Sequence, residues 1–180
     1  MANIKVWDLE FEPFMTHNQI EERVKVLGEA INKDYYDKAP VFIGVLNGCF
    51  MFMADLMKEI QIPCEMTFVK LASYSGTAQG EVSQLLGVGI DLTGRHVIIV
   101  EDIVDTGNSL THTMAALSSH HVASVAVCSL LLKPSCLAHD FDNLKYVGFE
   151  IAPEFVVGYG LDYNGQGRNL RHIYKVCPNP

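Results

Sequence analysis

Apolar residues follow two patterns along the chain. In some segments they recur with the period of a helix, and in others they form short unbroken runs. After Thr16 they recur at offsets of four, three and four positions, which predicts an amphipathic helix with one buried face. The residues of this stripe are Ile20, Val24, Leu27 and Ile31. Thr16 is followed three residues later by Gln19, which predicts a capping box at the start of the helix.

Unbroken apolar runs alternate with two further helical segments. Such runs are typical of strands that are covered on both faces. We therefore predict strands at residues 40–46, 64–71, 96–100 and 122–132. Helices are predicted at 50–60 and 109–119, and the methionines of the first of these are interpreted as core residues.

This order of elements predicts the fold class. Strands that alternate with helices favour an α/β fold with a central, mostly parallel twisted sheet, flanking helices and right-handed crossovers. The last third of the chain mixes short strands with glycine-rich turns. Residues 73–88 show weak periodicity and are predicted to form a long loop, and loops of that length in compact domains are usually lids or disordered connectors.

Composition narrows the classes of function. The 180 residues fit a single domain, and a net charge of -8 gives no global attraction for nucleic acid or for an anionic membrane. No apolar run approaches the roughly 18–20 residues of a membrane-spanning helix. Five cysteines without a CxxC pair favour reduced thiols and a cytoplasmic location, and the histidines show no metal-ligand spacing. A bound phosphate would therefore need a local anion-binding site.

A candidate for such an anion-binding site follows the predicted strand 96–100. Three carboxylates, Glu101, Asp102 and Asp105, come at the carboxyl end of this strand, where open α/β sheets bind their ligands. The turn into the next helix then supplies a glycine, two hydroxyls, an amide and several backbone N–H groups. Its residues are Asp105, Thr106, Gly107, Asn108 and Ser109. A helix N-terminus of this kind binds phosphate without a lysine.

Each of these residues also has an ordinary structural interpretation. Asp and Gly are common turn residues, and Ser109 is a good helix N-cap. The combination argues for a site, because acids beside an anion-binding turn can serve another part of the same ligand, such as a diol or a metal ion. The turn matches neither the Walker motif nor the GxGxxG dinucleotide motif.

The segment VIIVEDIVDTGNSL (97–110) resembles the signature of the phosphoribosyltransferases, which bind 5-phosphoribosyl-1-pyrophosphate. LASYSGT resembles the catalytic loop of the hypoxanthine-guanine members, and LLLKPS with FVVGYGLDYNGQGRNL resembles their purine-binding end. The resemblance covers roughly residues 14–176 and is strongest to the bacterial type of this purine/pyrimidine family. It implies the type I fold, with a small hood formed by the terminal segments, a mobile loop at roughly 73–88, and a homodimer or homotetramer.

The resemblance also implies roles at the sugar-phosphate. Glu101 and Asp102 would hold the ribose hydroxyls and support the Mg²⁺ that chelates them, and residues 106–109, with the Thr106 and Ser109 hydroxyls, would hold the 5-phosphate. Asp105 would accept or relay the purine ring proton. Leu46, Asn47 and Gly48 would offer backbone N–H groups to pyrophosphate, since Asn47 stands where some members carry lysine. Asn108 likewise replaces a lysine in the 5-phosphate loop.

Further roles concern the purine and the pyrophosphate. Lys133 would donate to the oxygen at purine position 6, because a lysine donates hydrogen bonds and accepts none. Phe155 would stack on the base and the Val156 backbone would contact its edge. Asp162 would help to hold a second Mg²⁺ beside pyrophosphate, and Arg168 would contact that group. Ser73 and Tyr74 would belong to the closing loop.

The activity implied is transfer of the phosphoribosyl group to hypoxanthine, and to guanine, with release of pyrophosphate. Two alternatives remain open at this point. One is an RNA-binding regulator with the same fold, which would need a basic face that 13 basic against 21 acidic residues do not favour. The other is a transferase that prefers xanthine.

Overall fold

The computed structural model describes residues 1–72, 83–86 and 89–178. In these ranges the strands are β1 Ile4–Val6, β2 Leu9–Met15, β3 Val41–Leu46, β4 Glu65–Ala72, β5 Ser83–Leu86, β6 His96–Val104, β7 Ser124–Leu132, β8 Leu144–Glu150, β9 Val156–Val157 and β10 Ile173–Val176. The α-helices are α1 His17–Asp34, α2 Phe50–Glu59 and α3 Asn108–Leu117. Among the described residues, no helix combines the length and apolarity needed to cross a membrane.

The larger sheet has six strands in the order β5-β4-β3-β6-β7-β8. Five of them run parallel, and β5 pairs antiparallel with β4 at one edge. Alternate residues of its strands pack on opposite faces: Phe42 and Ile98 face α1 and α2, whereas Ile43 and Ile99 face α3. The expected α/β class with a mostly parallel sheet and flanking helices is confirmed.

The two ends of the chain meet in a smaller antiparallel sheet, in the order β1-β2-β10-β9. Its own apolar cluster contains Phe11, Val157 and Tyr174, all buried. This sheet is the hood that the resemblance implies. The chain between β9 and β10 leads from it back to the carboxyl edge of the large sheet.

The first helix forms as the sequence predicts. The Thr16 hydroxyl accepts from the Gln19 backbone N–H at 3.2 Å, and the Gln19 side chain accepts from the Thr16 backbone N–H at 2.9 Å. The whole predicted apolar stripe is buried. Met53 is fully buried in α2, and Met51 and Met57 pack against the same core, as expected.

Three details differ from the sequence predictions. β6 continues to Val104 instead of ending at residue 100, because its pairing with β7 extends as far as Val104 and Leu132. The N-cap of α3 is Gly107 and not Ser109, and no side chain caps this helix. Residues 83–86, predicted as part of a loop, form strand β5 against β4.

Candidate active site

The carboxyl ends of the parallel strands place the candidate residues at one edge of the sheet. β3 ends in the turn Leu46–Asn47–Gly48, β6 runs into residues 105–109, and β7 ends beside Lys133. The peptide bond between Leu46 and Asn47 is cis. Because these strands are hydrogen-bonded neighbours, the three segments meet although they are far apart in the sequence.

A cavity of about 100 Å³ lies in the turn between β6 and α3, and we call it the loop cavity. Its lining includes Glu101, Asp105, Thr106, Gly107, Asn108 and Ser109. Gly107 has φ +84°, a conformation that favours glycine, and a Cβ there would lie 2.4 Å from Phe141 Cε2. The turn and the start of α3 therefore border one small space, and the backbone N–H groups at a helix N-terminus suit an anion.

A second cavity of about 240 Å³ adjoins the first, and we call it the hood cavity. Its lining is Asp102, Ile103, Asp105, Lys133, Phe155, Val156, Leu161 and Asp162. Asp105 and Ile103 line both cavities. A ligand with an anionic end in the loop cavity and a planar end in the hood cavity would therefore pass directly over the Asp105 carboxylate.

Lys133 and Asp105 form an ion pair inside the hood cavity. The Lys133 Nζ lies 2.6 Å from Asp105 Oδ2, and the lysine side chain is only 9% exposed against 46% for the aspartate. A buried ammonium group next to a more accessible carboxylate gives the cavity one donor and one acceptor. Both residues were predicted from the sequence as site residues, but their contact was not.

An aromatic group lies at the open side of the hood cavity. Phe155 is 40% exposed, and its ring meets Tyr163 edge to face at 5.4 Å between centroids. It is therefore not a core residue, although an aromatic at this position would usually be one. An exposed ring held by a second ring can stack on a planar ligand.

Glu101 and Asp102 point to opposite sides of β6, as successive strand residues do. Glu101 is 4% exposed and lines the loop cavity, where its carboxylate accepts from the Ser109 hydroxyl at 3.4 Å. Asp102 lines the hood cavity. The two acids, expected to act together on one sugar, thus approach it from different cavities.

Burial controls the protonation of both acids. Burial, with a smaller contribution from Asp102, raises the pKa of Glu101 well above its usual value. Burial also raises the pKa of Asp102 to about 6, although its own and the Ile103 backbone N–H groups and the positive Arg168 oppose the shift. Ionised carboxylates in such surroundings gain from a cationic or hydroxyl-bearing ligand.

The turn after β3 is pressed against Asp102. A Cβ on Gly48 would lie 1.7 Å from Asp102 Oδ2, and a Cβ on Gly160 would lie 2.0 Å from the Gly48 carbonyl oxygen. The three residues therefore form a stack that runs from β6 through the turn to the segment after β9. Gly160 could not be predicted as a site residue, since one glycine among 14 carries no signal for such a contact.

Arg168 and Asp162 lie next to this stack. The Arg168 guanidinium is 2.5 Å from Asp162 Oδ1 and donates to the Gly160 carbonyl at 2.7 Å. Asp162 also accepts from the Gly165 backbone N–H at 2.7 Å. Most proposed site residues that the structure describes thus line the two cavities. Gly48 and Arg168 line neither cavity and lie at the stack instead, in contact with Asp102 or Gly160, and Leu46 and Asn47 precede Gly48 in the same turn. Ser73 and Tyr74 fall outside the described residues.

A family model described as "Phosphoribosyl transferase domain" matches residues 14–164. The match includes every residue that lines the two cavities as well as the strands that carry them. By fold and by site, the chain is therefore a phosphoribosyltransferase.

Individual relatives narrow the assignment. A hypoxanthine phosphoribosyltransferase from Haemophilus influenzae is 41% identical over 90% of this chain and 93% of its own length. The crystal structure of a hypoxanthine-guanine phosphoribosyltransferase from Bacillus anthracis has a TM-score of 0.86 at 35% identity and covers 92% of this chain and 98% of that one. The structure of a Trypanosoma cruzi hypoxanthine phosphoribosyl transferase also scores 0.86, at 33% identity over 97% and 95%.

The chain belongs to the hypoxanthine phosphoribosyltransferases, a family of transferase enzymes. Neither alternative from the sequence, an RNA-binding regulator or a xanthine-preferring transferase, finds support among these relatives.

Proposed function

We propose that the enzyme transfers the 5-phosphoribosyl group from 5-phosphoribosyl-1-pyrophosphate to hypoxanthine and guanine, in purine salvage. The products are inosine or guanosine monophosphate and pyrophosphate. The observation that carries this proposal is the junction of the two cavities at Asp105. One cavity has the donors for a phosphate, the other has the groups for a 6-oxopurine, and the anomeric carbon would lie between them.

The 5-phosphate would bind in the loop cavity. The backbone N–H groups of residues 106–109 and the Thr106 hydroxyl would be the donors, and the α3 N-terminus would add its positive end. The Ser109 hydroxyl would join them by leaving its 3.4 Å contact with Glu101. Asn108 contributes no charge where some family members have lysine. Binding would therefore depend on the backbone donors.

The purine would occupy the hood cavity. Phe155 would stack on the ring, the Val156 backbone would contact its edge, and Lys133 would donate to the 6-oxo group. The 6-amino group of adenine is itself a donor, so Lys133 would disfavour adenine. To reach the 6-oxo group, the Lys133 ammonium would share or leave its 2.6 Å contact with Asp105.

Asp105 would then be free to act on the base. Its carboxylate would accept or relay the proton of the purine nitrogen that attacks the anomeric carbon. The new carbon–nitrogen bond forms as the bond to pyrophosphate breaks, through a transition state with oxocarbenium character. Positive charge develops on the sugar, so ionised carboxylates beside it are favourable.

The pyrophosphate leaving group would lie beside the stack of Asp102, Gly48 and Gly160. Backbone N–H groups of Leu46, Asn47 and Gly48 and the Arg168 guanidinium would contact it. Arg168 is held by Asp162 and by the Gly160 carbonyl, so its position is fixed before the ligand arrives.

The acids around the hood cavity suit Mg²⁺. Asp102 and Asp162 line the same cavity, and Asp162 helps to raise the Asp102 pKa, so both would gain from a divalent cation. Among the described residues no group of three potential ligands occurs, so any further ligands would have to come from substrate phosphates and water. Bound Mg²⁺ would neutralise charge on the leaving group. Glu101, on the other side of β6, would support a ribose-bound Mg²⁺ only through the sugar hydroxyls.

Ser73 and Tyr74 remain proposed members of a closing loop, by resemblance alone. The molecule as a whole we propose to be one phosphoribosyltransferase domain that works as a homodimer or homotetramer in the cytoplasm. All five cysteines are free, which supports a reducing compartment. Light scattering should give a mass two or four times 20.0 kDa, and a monomer mass would contradict self-association.

The direct test is a pyrophosphate-release assay with hypoxanthine, guanine, xanthine and adenine, with and without Mg²⁺. We expect Mg²⁺-dependent release with hypoxanthine and guanine and little with adenine. Release with xanthine alone would overturn the proposed base specificity. Absence of release with all four bases would overturn the proposed reaction.

A further inference from the structure

A buried tyrosine ties the segment after β9 to helix α2. Tyr159 is fully buried, and its hydroxyl donates to Asp55 Oδ2 at 2.6 Å. Asp55 lies in the middle of α2, and its other oxygen contacts Lys58 at 2.7 Å. α2 starts directly after the turn that ends at Gly48. The hydrogen bond therefore joins two segments that both reach the proposed pyrophosphate end of the site.

The backbone at Tyr159 is held in a conformation that a non-glycine residue rarely adopts. Its φ is +50°, between two glycines that also have positive φ. Such a backbone persists only where the surrounding contacts hold it. These contacts are the Tyr159 N–H to the Leu170 carbonyl at 2.8 Å, the Gly160 N–H to the Arg168 carbonyl at 3.0 Å, and the side-chain bond to Asp55.

The residue that follows Tyr159 carries the contact with the site. Gly160 touches the Gly48 carbonyl so closely that a Cβ would lie 2.0 Å from it, and the Gly160 carbonyl accepts from Arg168 at 2.7 Å. A small rotation of the backbone at Tyr159 would thus move Gly160 away from Gly48 and shift Arg168. None of residues 158–160 lines the loop cavity or the hood cavity.

The hydrogen bond between Tyr159 and Asp55 joins a neutral hydroxyl to an ionised carboxylate. Burial and the neighbouring carboxylate raise the pKa of Tyr159, so its hydroxyl stays a donor. Burial alone would raise the pKa of Asp55, but the hydrogen bonds from Lys58 and Tyr159 lower it, so the acceptor stays ionised. Bonds from a hydroxyl to an ionised carboxylate are stronger than neutral ones.

We infer that Tyr159 and Asp55 are a positioning pair that fixes the pyrophosphate end of the active site, by holding Gly160 and Arg168 against the Gly48 turn. This inference rests on the proposed function. It assigns to the pair the affinity for pyrophosphate and for 5-phosphoribosyl-1-pyrophosphate, and not the affinity for the purine or for the nucleotide product.

The test is Tyr159→Phe, which removes only the hydroxyl. In the reverse reaction, we expect the KM for pyrophosphate to rise about tenfold. The KM for inosine monophosphate should stay within about twofold, because the nucleotide in its proposed position would contact neither Gly48 nor Arg168. The Kd values measured by calorimetry should change in the same way, with a rise for pyrophosphate and little change for inosine monophosphate. Equal losses for both ligands, or no loss for pyrophosphate, would overturn the inference.

Tyr146→Phe is a matched control. Tyr146 is also buried, and its hydroxyl donates at 2.8 Å to Asp34, which also pairs with a lysine, but at a distance from both cavities. It should lose stability comparably and leave both KM values unchanged. A pyrophosphate-specific loss in this control would show that any lost buried hydroxyl gives the effect, and would overturn the inference.

If Tyr159→Phe does not fold, two variants at Asp55 test the role of the pair in pyrophosphate binding. Asp55→Asn keeps an oxygen that can accept from Tyr159 and should keep most of the pyrophosphate affinity, whereas Asp55→Ala should lose about tenfold. Equal effects of the two would overturn the inference. Wild-type activity is measured first, so that an inactive wild type counts against the proposed reaction and an active enzyme with insensitive variants counts only against the pair.

Discussion

At the residue scale, the chemistry depends on Asp105 and Lys133 at the junction of the two cavities. The types of both residues and their proximity to apolar strand ends were readable from the sequence. Their 2.6 Å contact was not, because 28 positions separate them and only the pairing of β6 with β7 brings them together. Glu101 and Asp102 show the same limit, since their adjacency suggested one shared target and the strand places them on opposite sides.

Asp105→Asn should reduce kcat by about 10²- to 10⁴-fold, because the amide cannot take the purine proton. Affinity for 5-phosphoribosyl-1-pyrophosphate should stay close to wild type, since the loop cavity keeps its backbone donors. Steady-state kinetics and a calorimetric titration check the two expectations. Asp37→Asn, at an exposed position, is the control. An unchanged kcat would remove Asp105 from the mechanism.

Lys133→Ala should raise the KM for hypoxanthine by about 10- to 100-fold, the range of a hydrogen bond from a charged donor. The KM for 5-phosphoribosyl-1-pyrophosphate should change much less. Lys145→Ala is the control, because Lys145 also pairs with an aspartate, Asp34 at 2.6 Å, outside both cavities. Equal losses for the two substrates would count against a role for Lys133 in base recognition.

At the element scale, periodicity predicted most helices and strands, and the errors fall where local signals compete with pairing. The capping box and apolar stripe of α1 are properties of neighbouring residues, so the sequence was sufficient. β6 extends past Glu101 and Asp102 because its partner β7 continues beside it, although two acids usually mark the end of a buried strand. Gly107 replaces Ser109 as the N-cap since the turn needs a positive φ there.

The turn after β3 provides a prediction at this scale. Gly48→Ala should lower kcat/KM for 5-phosphoribosyl-1-pyrophosphate by about 10²-fold, because the new methyl group would displace Asp102 or the turn itself. Gly89→Ala is the matched control, since a Cβ there would meet nothing within 4 Å. Equal activity of the two variants would show that the contact between Gly48 and Asp102 does not matter for the reaction.

At the scale of the whole molecule, the site exists only because the hood sheet closes over the edge of the larger sheet. Phe155 and Asp162 come from the chain beside the hood, whereas Asp105 and Lys133 come from the sheet. Composition and periodicity cannot predict how two sheets meet. The resemblance to a known family indicated the hood here, and the strand order β1-β2-β10-β9 shows that both ends of the chain build it.

A contact on the far side of the molecule should make stability depend on pH. Hydrogen bonds from Lys145 and Tyr146 lower the pKa of Asp34 below 3.8, so its ionised form stabilises the folded state. The contribution is complete above the unfolded pKa and is lost as the pH falls through the lower, folded value. Asp34→Asn should therefore cost up to about 1 kcal/mol at pH 7 and progressively less below pH 4.

Urea unfolding of wild type and Asp34→Asn, at pH 7 and at a pH below 4, measures the difference in the free energy of unfolding at each pH. A difference in the free energy of unfolding that grew as the pH fell would contradict the stabilising role of the ionised Asp34. Activity is the control, since Asp34 lies outside both cavities and the variant should keep wild-type kcat at neutral pH.

We expect one ligand to span the two cavities across Asp105, and a crystal structure with inosine monophosphate would show whether it does. We predict that the phosphate lies on the backbone of residues 106–109, with the base between Phe155 and the Lys133 ammonium group. A nucleotide bound outside these cavities, or with its base in the loop cavity, would contradict the proposed substrate position.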